Sequence, residues 1–147
     1  MDKRVINDLV SKSWKDTTRL PLESTSLDEL TDRDALYIAS VVFSGESQGS
    51  LTIATGETLA TKIASMMFEC ETDSVSYDDI KDSIGELVNI LAGNMKSDYF
   101  GGSDLSRPLV MEGSDSILSM LNADVVFQKI FTSDNKEQVL IQICHTD

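Results

Sequence analysis

The chain has 147 residues, 41% of them hydrophobic, enough to bury a core in one domain spanning residues 1–147. Twenty-five acidic residues against 12 basic ones give a formal charge of −13. Such a surface repels phosphodiester backbones and anionic lipid, which argues against nucleic acid and membranes as partners. No apolar run approaches the roughly 20 residues needed to cross a bilayer, and Cys70 and Cys144 could pair only once, so cytoplasm is the expected compartment.

The opening MDKRVINDLVSKSW has no continuous apolar stretch and no small-residue cleavage site, so it is not read as a secretory signal. Val5, Ile6, Leu9, Val10 and Trp14 fall close to helical spacing instead. After Leu20-Pro21 comes a polar segment, LESTSLDELTDRD, whose start could pair as an edge strand. Two β-rich runs, 36–43 and 50–54, flank a Gly/Ser turn at 44–49 and predict a hairpin. Residues 58–68 predict a helix with Leu59, Ile63, Met66 and Met67 inward, and 70–75 an acidic linker.

Ser76 is placed as an N-cap, with Asp78 and Asp79 where the helix dipole favours negative charge. The helix it opens covers 77–96. Phe100-Gly101-Gly102-Ser103 is a turn, and 107–112 a short strand whose Pro108 belongs at an edge or strand start. The runs 125–132 and 138–145 flank Ser133-Asp134-Asn135-Lys136 and form the clearest hairpin. Adjacent antiparallel hairpins interspersed with helices predict an α+β fold, an antiparallel-rich sheet with helices packed on it.

Familiar catalytic chemistry is missing. His145 and Cys144 are neighbours in a strand pattern and point to opposite faces, so they cannot form a dyad. Cys144 is read as a core or edge residue and His145 as a frayed terminal one. One His and two separated Cys make no zinc site, and the glycines form neither a P-loop nor a dinucleotide fingerprint. The acidic stretches lack calcium-loop spacing, and solvated surface is the reading they favour.

The helix over 77–96 is the unusual element. At about 100° per residue, Ile80, Ile84, Leu87, Leu91 and Met95 share one side with Val88 at their flank. Asp82, Glu86, Asn89, Gly93 and Lys96 share the other. Glycine in a helix interior costs about 1 kcal/mol relative to alanine, and what it offers is close approach by another backbone. Gly85 and Gly93 are therefore read as steric allowances or packing positions. Nine Glu and five Asn give roughly 0.3 Glu-x2-Asn pairs by chance, so the spacing alone decides little. A solvated face, the commoner case, and a contact surface both stay open on the residues alone.

The run Asp82-x3-Glu86-x2-Asn89 within DSIGELVNILAGNMK resembles the signature of the CheC/CheX/FliY phosphatases of bacterial chemotaxis, the short CheX type above all. The hairpin VVFSGESQGSLTIAT, the helix ETLATKIASMMF, and RPLVMEG with Pro108 follow in the order of CheX-like proteins. The resemblance covers residues 38–112 and, more loosely, the final hairpin. CheC-type relatives often carry two such motifs. Here the counterpart Glu57-x2-Ala60 lacks the amide, so that helix is expected to be inert, and the shorter interval from Asn89 to Pro108 also favours CheX.

The resemblance implies a phosphatase for the aspartyl phosphate of a response-regulator receiver domain, CheY-like, with Glu86 and Asn89 as its catalytic pair. Asn89 would orient the attacking water, a task suited to a neutral amide that both donates and accepts. Glu86 would contact the receiver's active-site lysine. It implies no cofactor of the chain's own, Mg²⁺ coming with the receiver, and a homodimer paired through its sheets. Asp82 is placed as structural or a rim contact, Lys96 as a cation favoured by the helix dipole, and Pro108 as a marker of the fold. Two competing readings are a non-catalytic CheC/FliY-like module that binds a response regulator, and an acidic scaffold whose helix face contacts nothing.

Overall fold

The structure, a computed structural model, describes residues 2–31, 35–114 and 124–146. In chain order it contains α1 (Lys3–Thr18), β1 (Glu23–Ser24), β2 (Leu36–Gly45), β3 (Gln48–Gly56), α2 (Glu57–Phe68), α3 (Tyr77–Tyr99), β4 (Ser103–Leu105), β5 (Leu109–Gly113), β6 (Val125–Thr132) and β7 (Gln138–Thr146). Short 3-10 turns lie at Thr72–Ser74 and Asp134–Lys136. The expected α+β architecture is present: among the described residues, three helices cover one face of an antiparallel sheet.

The strands run in the order β1-β6-β7-β3-β2-β4, with β5 also pairing with β2. Side chains alternate across a strand, so β2 sends Tyr37, Ala39, Val41 and Phe43 into the core beneath the helices. Its alternate residues Leu36 and Ile38 join Ala54, Ile130 and Leu140 in a smaller cluster on the opposite face. Burial on both faces is why this segment reads as a nearly continuous apolar run. The edge beyond β2 is interrupted. Between β4 and β5, Ser106 takes over the ladder: its N–H donates to Val42 O and its Oγ accepts from Val42 N, each at 2.9 Å. Pro108, with no N–H to offer, comes two residues later and immediately precedes the strand's resumption at Leu109.

The expected elements are present with several ends moved, but β4 is an addition: Ser103, expected in a turn, opens a short strand that pairs with Phe43–Gly45 of β2. The first hairpin is tighter than expected, its strands running to Gly45 and from Gln48. Glu23–Ser24 does pair as an edge strand, against Phe131 and Thr132 of β6. Met66 and Met67 pack against the core only partly buried, and Ala60 and Ala64 fill the inward face of α2 with Leu59 and Ile63.

One expectation is corrected. His145 is not a frayed end residue: it pairs with Gly49 in β3, and its ring centroid lies 5.1 Å from that of Phe100. Phe100 in turn stacks on Phe43 at 3.9 Å. Pairing with β3 on one side and β6 on the other, with His145 N–H donating to Asp124 O at 3.2 Å, holds down the last strand where sequence position suggested fraying. Cys144, on the opposite face, is a core residue.

Candidate functional site

The start of α3 is specified by local chemistry. Ser76 Oγ accepts from Asp79 N at 3.1 Å, and Asp79 Oδ2 accepts from Ser76 N at 3.0 Å, completing a capping box. The predicted cap is therefore correct, and the helix continues one turn past Lys96 to Tyr99. Ile80, Ile84, Leu87, Val88, Leu91 and Met95 are all buried, so the apolar stripe faces the core as its spacing required.

Contacts along α3 then fix its rotation. At its first turn the Tyr77 hydroxyl donates to Glu112 of β5, and Lys81 Nζ lies 5.2 Å from the Tyr77 ring centroid. Tyr37 of β2 stands opposite Glu112 in the ladder, with its ring 6.4 Å from that of Tyr77. Burial, and then the Glu112 carboxylate, push the Tyr37 phenol up to about 12. The hydrogen bond to Glu112 raises Tyr77 as well. Towards the far end, Asn94 Nδ2 donates to Ser13 Oγ of α1 at 2.6 Å.

Midway, Gly85 is buried against the edge of the sheet. A methyl group built there would sit 3.2 Å from Val110 Cγ2 and 3.5 Å from Pro108 Cγ. Of the two readings left open for this glycine, the structure supports packing.

So held, α3 turns Asp82, Glu86, Asn89 and Gly93 away from the core. Asp82, Glu86 and Gly93 are exposed, and Asn89 is half-buried. Among the described residues the side chains of Glu86 and Asn89 make no hydrogen bond or ion pair. Glu86 borders a shallow hollow of about 290 Å³ shared with Lys81, Asp82, Gly85, Pro108 and Val110. Pro108 thus packs on the helix and walls this hollow. Asn89 lies one turn farther along, outside it.

The counterpart position on α2 offers nothing similar, since Ala60 is buried and Glu57 stands exposed without an amide one turn on. A hollow of about 740 Å³ between α1, β1 and β6 contains no member of the α3 stripe. Among the described residues no three His, Cys, Asp or Glu side chains gather as a metal site, and no helix is long and apolar enough to cross a membrane.

An acid and an amide on one helix face do not by themselves identify a family, so family membership rests on a longer match. The family model described as chemotaxis phosphatase CheX matches residues 37–131, well over half of the sequence and inclusive of α3. The chain belongs to the CheX family. Solved structures agree on the fold. CheX from Vibrio vulnificus superposes with a TM-score of 0.68 at 19% identity, covering 96% of this chain and 93% of that one. CheX in a CheX–CheY–BeF3–Mg complex from Borrelia burgdorferi gives 0.70 at 19% identity, covering 99% of both chains. Thermotoga maritima FliY gives 0.63 at 12% identity, covering 99% and 90%. A search of curated proteins finds no match.

Within this CheX-family chain, the contribution of Lys81 and of the Tyr77–Glu112 tie was not legible in sequence. Tyr77 and Glu112 are 35 residues apart, and no local pattern announces such a pair.

Proposed function

We propose that the chain accelerates hydrolysis of the aspartyl phosphate on a CheY-like receiver, inserting the outer face of α3 into the receiver's active site. The observation that carries this reading is the pairing of Glu86 and Asn89 on one turn of a helix fixed by its cap, by Gly85 and by Asn94, with neither side chain used inside the protein. An acyl phosphate is a reactive anhydride, so no nucleophilic side chain is required. Water oxygen attacks phosphorus, the bond from phosphorus to the aspartyl oxygen breaks, and the carboxylate leaves as inorganic phosphate forms. What a second protein adds is orientation of that water, which replaces random attack by an in-line one.

Asn89 holds the water, accepting from it and donating to it without bringing charge towards the phosphoryl group. Glu86 pairs with the receiver's active-site lysine, which places a cation between its carboxylate and the phosphate. Mg²⁺ belongs to the receiver's own site. The strongly acidic surface favours approach to a site that presents a metal and a lysine.

The experiment follows loss of phosphate from the receivers of the same cell, each charged with a small acyl phosphate donor. Asn89→Ala should lower the acceleration by about 10²-fold, in line with loss of one positioned hydrogen-bonding group, while binding is largely kept. Glu86→Ala should weaken binding as well. Full acceleration by both variants refutes the assignment of residues. Binding of a phosphorylated receiver with no acceleration by the wild type would make the chain a non-catalytic docking module instead.

A further inference from the structure

The two glycines of α3 look alike in sequence and differ in space. Gly85 is buried and packs on Val110 and Pro108, whereas around Gly93 nothing lies within 4 Å of the position a Cβ would take. Gly93 is exposed, in the interior of the 23-residue helix Tyr77–Tyr99. At about 100° per residue it falls about 180° from the middle of the apolar stripe, between the directions of Glu86 and Asn89. Its backbone is helical, so no turn or left-handed conformation calls for glycine there. Inside the chain, glycine at this position brings only a loss of helix stability relative to alanine.

We propose that Gly93 is where a receiver's backbone comes closest to α3, a specificity-determining position whose missing side chain sets how deep Asn89 reaches. This rests on the docking described above and adds the clearance it needs. Asn89 is short and half-buried, so it can touch a water on a buried phosphoryl group only if the helix backbone itself enters the receiver's cleft. One turn on, any side chain at residue 93 would point the same way and meet the receiver first. The size of that side chain then limits approach for every receiver, and most severely for those with a narrow cleft.

The test compares wild type, Gly93→Ala, Gly93→Gln and Asn89→Ala in three measurements. These are thermal unfolding, acceleration of receiver dephosphorylation, and affinity for the same receiver activated with beryllium fluoride and Mg²⁺. Gly93→Ala should raise the unfolding midpoint by about 2–4 °C, and Gly93→Gln should not lower it. Acceleration should nevertheless fall about threefold for alanine and about 10²-fold for glutamine, because an ångström of misplacement is enough to spoil an oriented attack. Affinity should fall in the same order.

If Asn89→Ala is inactive while both Gly93 variants match wild type, the clearance is wrong and the phosphatase reading stands. Lower unfolding midpoints for both Gly93 variants would make the glycine a requirement of the fold and overturn the inference. If wild type accelerates no receiver, the phosphatase reading fails and takes the inference with it.

Discussion

The contact between Gly85 and the Pro108–Val110 edge supports a quantitative prediction, because it sets how α3 lies on the sheet. In Gly85→Ala the new methyl group stands 3.2 Å from Val110 Cγ2, closer than carbon atoms normally rest, and 3.5 Å from Pro108, an ordinary contact. Two effects oppose each other. Alanine is favoured over glycine by about 1 kcal/mol in a helix interior, while inserting a methyl group into a packed site costs about 1–3 kcal/mol. Val110 is half-buried in a strand that pairs with β2, and it can yield by a few tenths of an ångström.

The cost therefore falls at the low end, and Gly85→Ala should be neutral to about 1 kcal/mol destabilising. Val110→Ala removes the atom that resists. In that background Gly85→Ala should become stabilising by up to about 1 kcal/mol, since only the helix preference remains. The two substitutions are thus coupled by about 1–2 kcal/mol, within the range found for residues in contact. Urea unfolding of the four proteins, read at constant denaturant slope, measures this directly. Additivity within about 0.5 kcal/mol would show that the contact carries no strain and that Gly85 does not set the seat of the helix.

Two other predictions follow from the same anchorage. Ser76→Ala removes one bond of the capping box and leaves Asp79 N unsatisfied, so it should lower stability by about 1 kcal/mol and the unfolding midpoint by about 2–4 °C. Ser76→Asp should restore most of it, and an unchanged midpoint in Ser76→Ala would refute the role of the cap. Tyr37 is held neutral up to about 12, whereas in the unfolded chain it ionises near 10. Its contribution is complete below pH 10 and is lost as pH rises towards 12, because the unfolded state gives up the proton first. Wild type should therefore lose stability faster than Tyr37→Phe between pH 9 and 11, measured as urea midpoints. Parallel loss in the two proteins would show that the phenol is not buried against Glu112.

Local order was readable wherever neighbours along the chain decide it. The alternation of Val139, Ile141 and Ile143, the Ser76 cap and the heptad-like spacing of Ile80, Ile84, Leu87 and Leu91 each specify their element through contacts within a few residues. The stripe bearing Glu86 and Asn89 was legible for the same reason, being the complement of the apolar side of one helix. Contacts between distant segments decided the rest. Sequence offered no means of telling Gly85 from Gly93, since both interrupt the same helix. Only the position of Val110 and Pro108 across the fold makes one a packing contact and the other an open surface. His145, a terminal residue by position, is held by β3 from a distant part of the chain and by Asp124 just before β6, and lies beside Phe100. Helical periodicity determines which residues face out, because it depends on the angle between successive side chains. What each outward residue meets depends on segments brought together by burial of the core, and that is settled only in three dimensions.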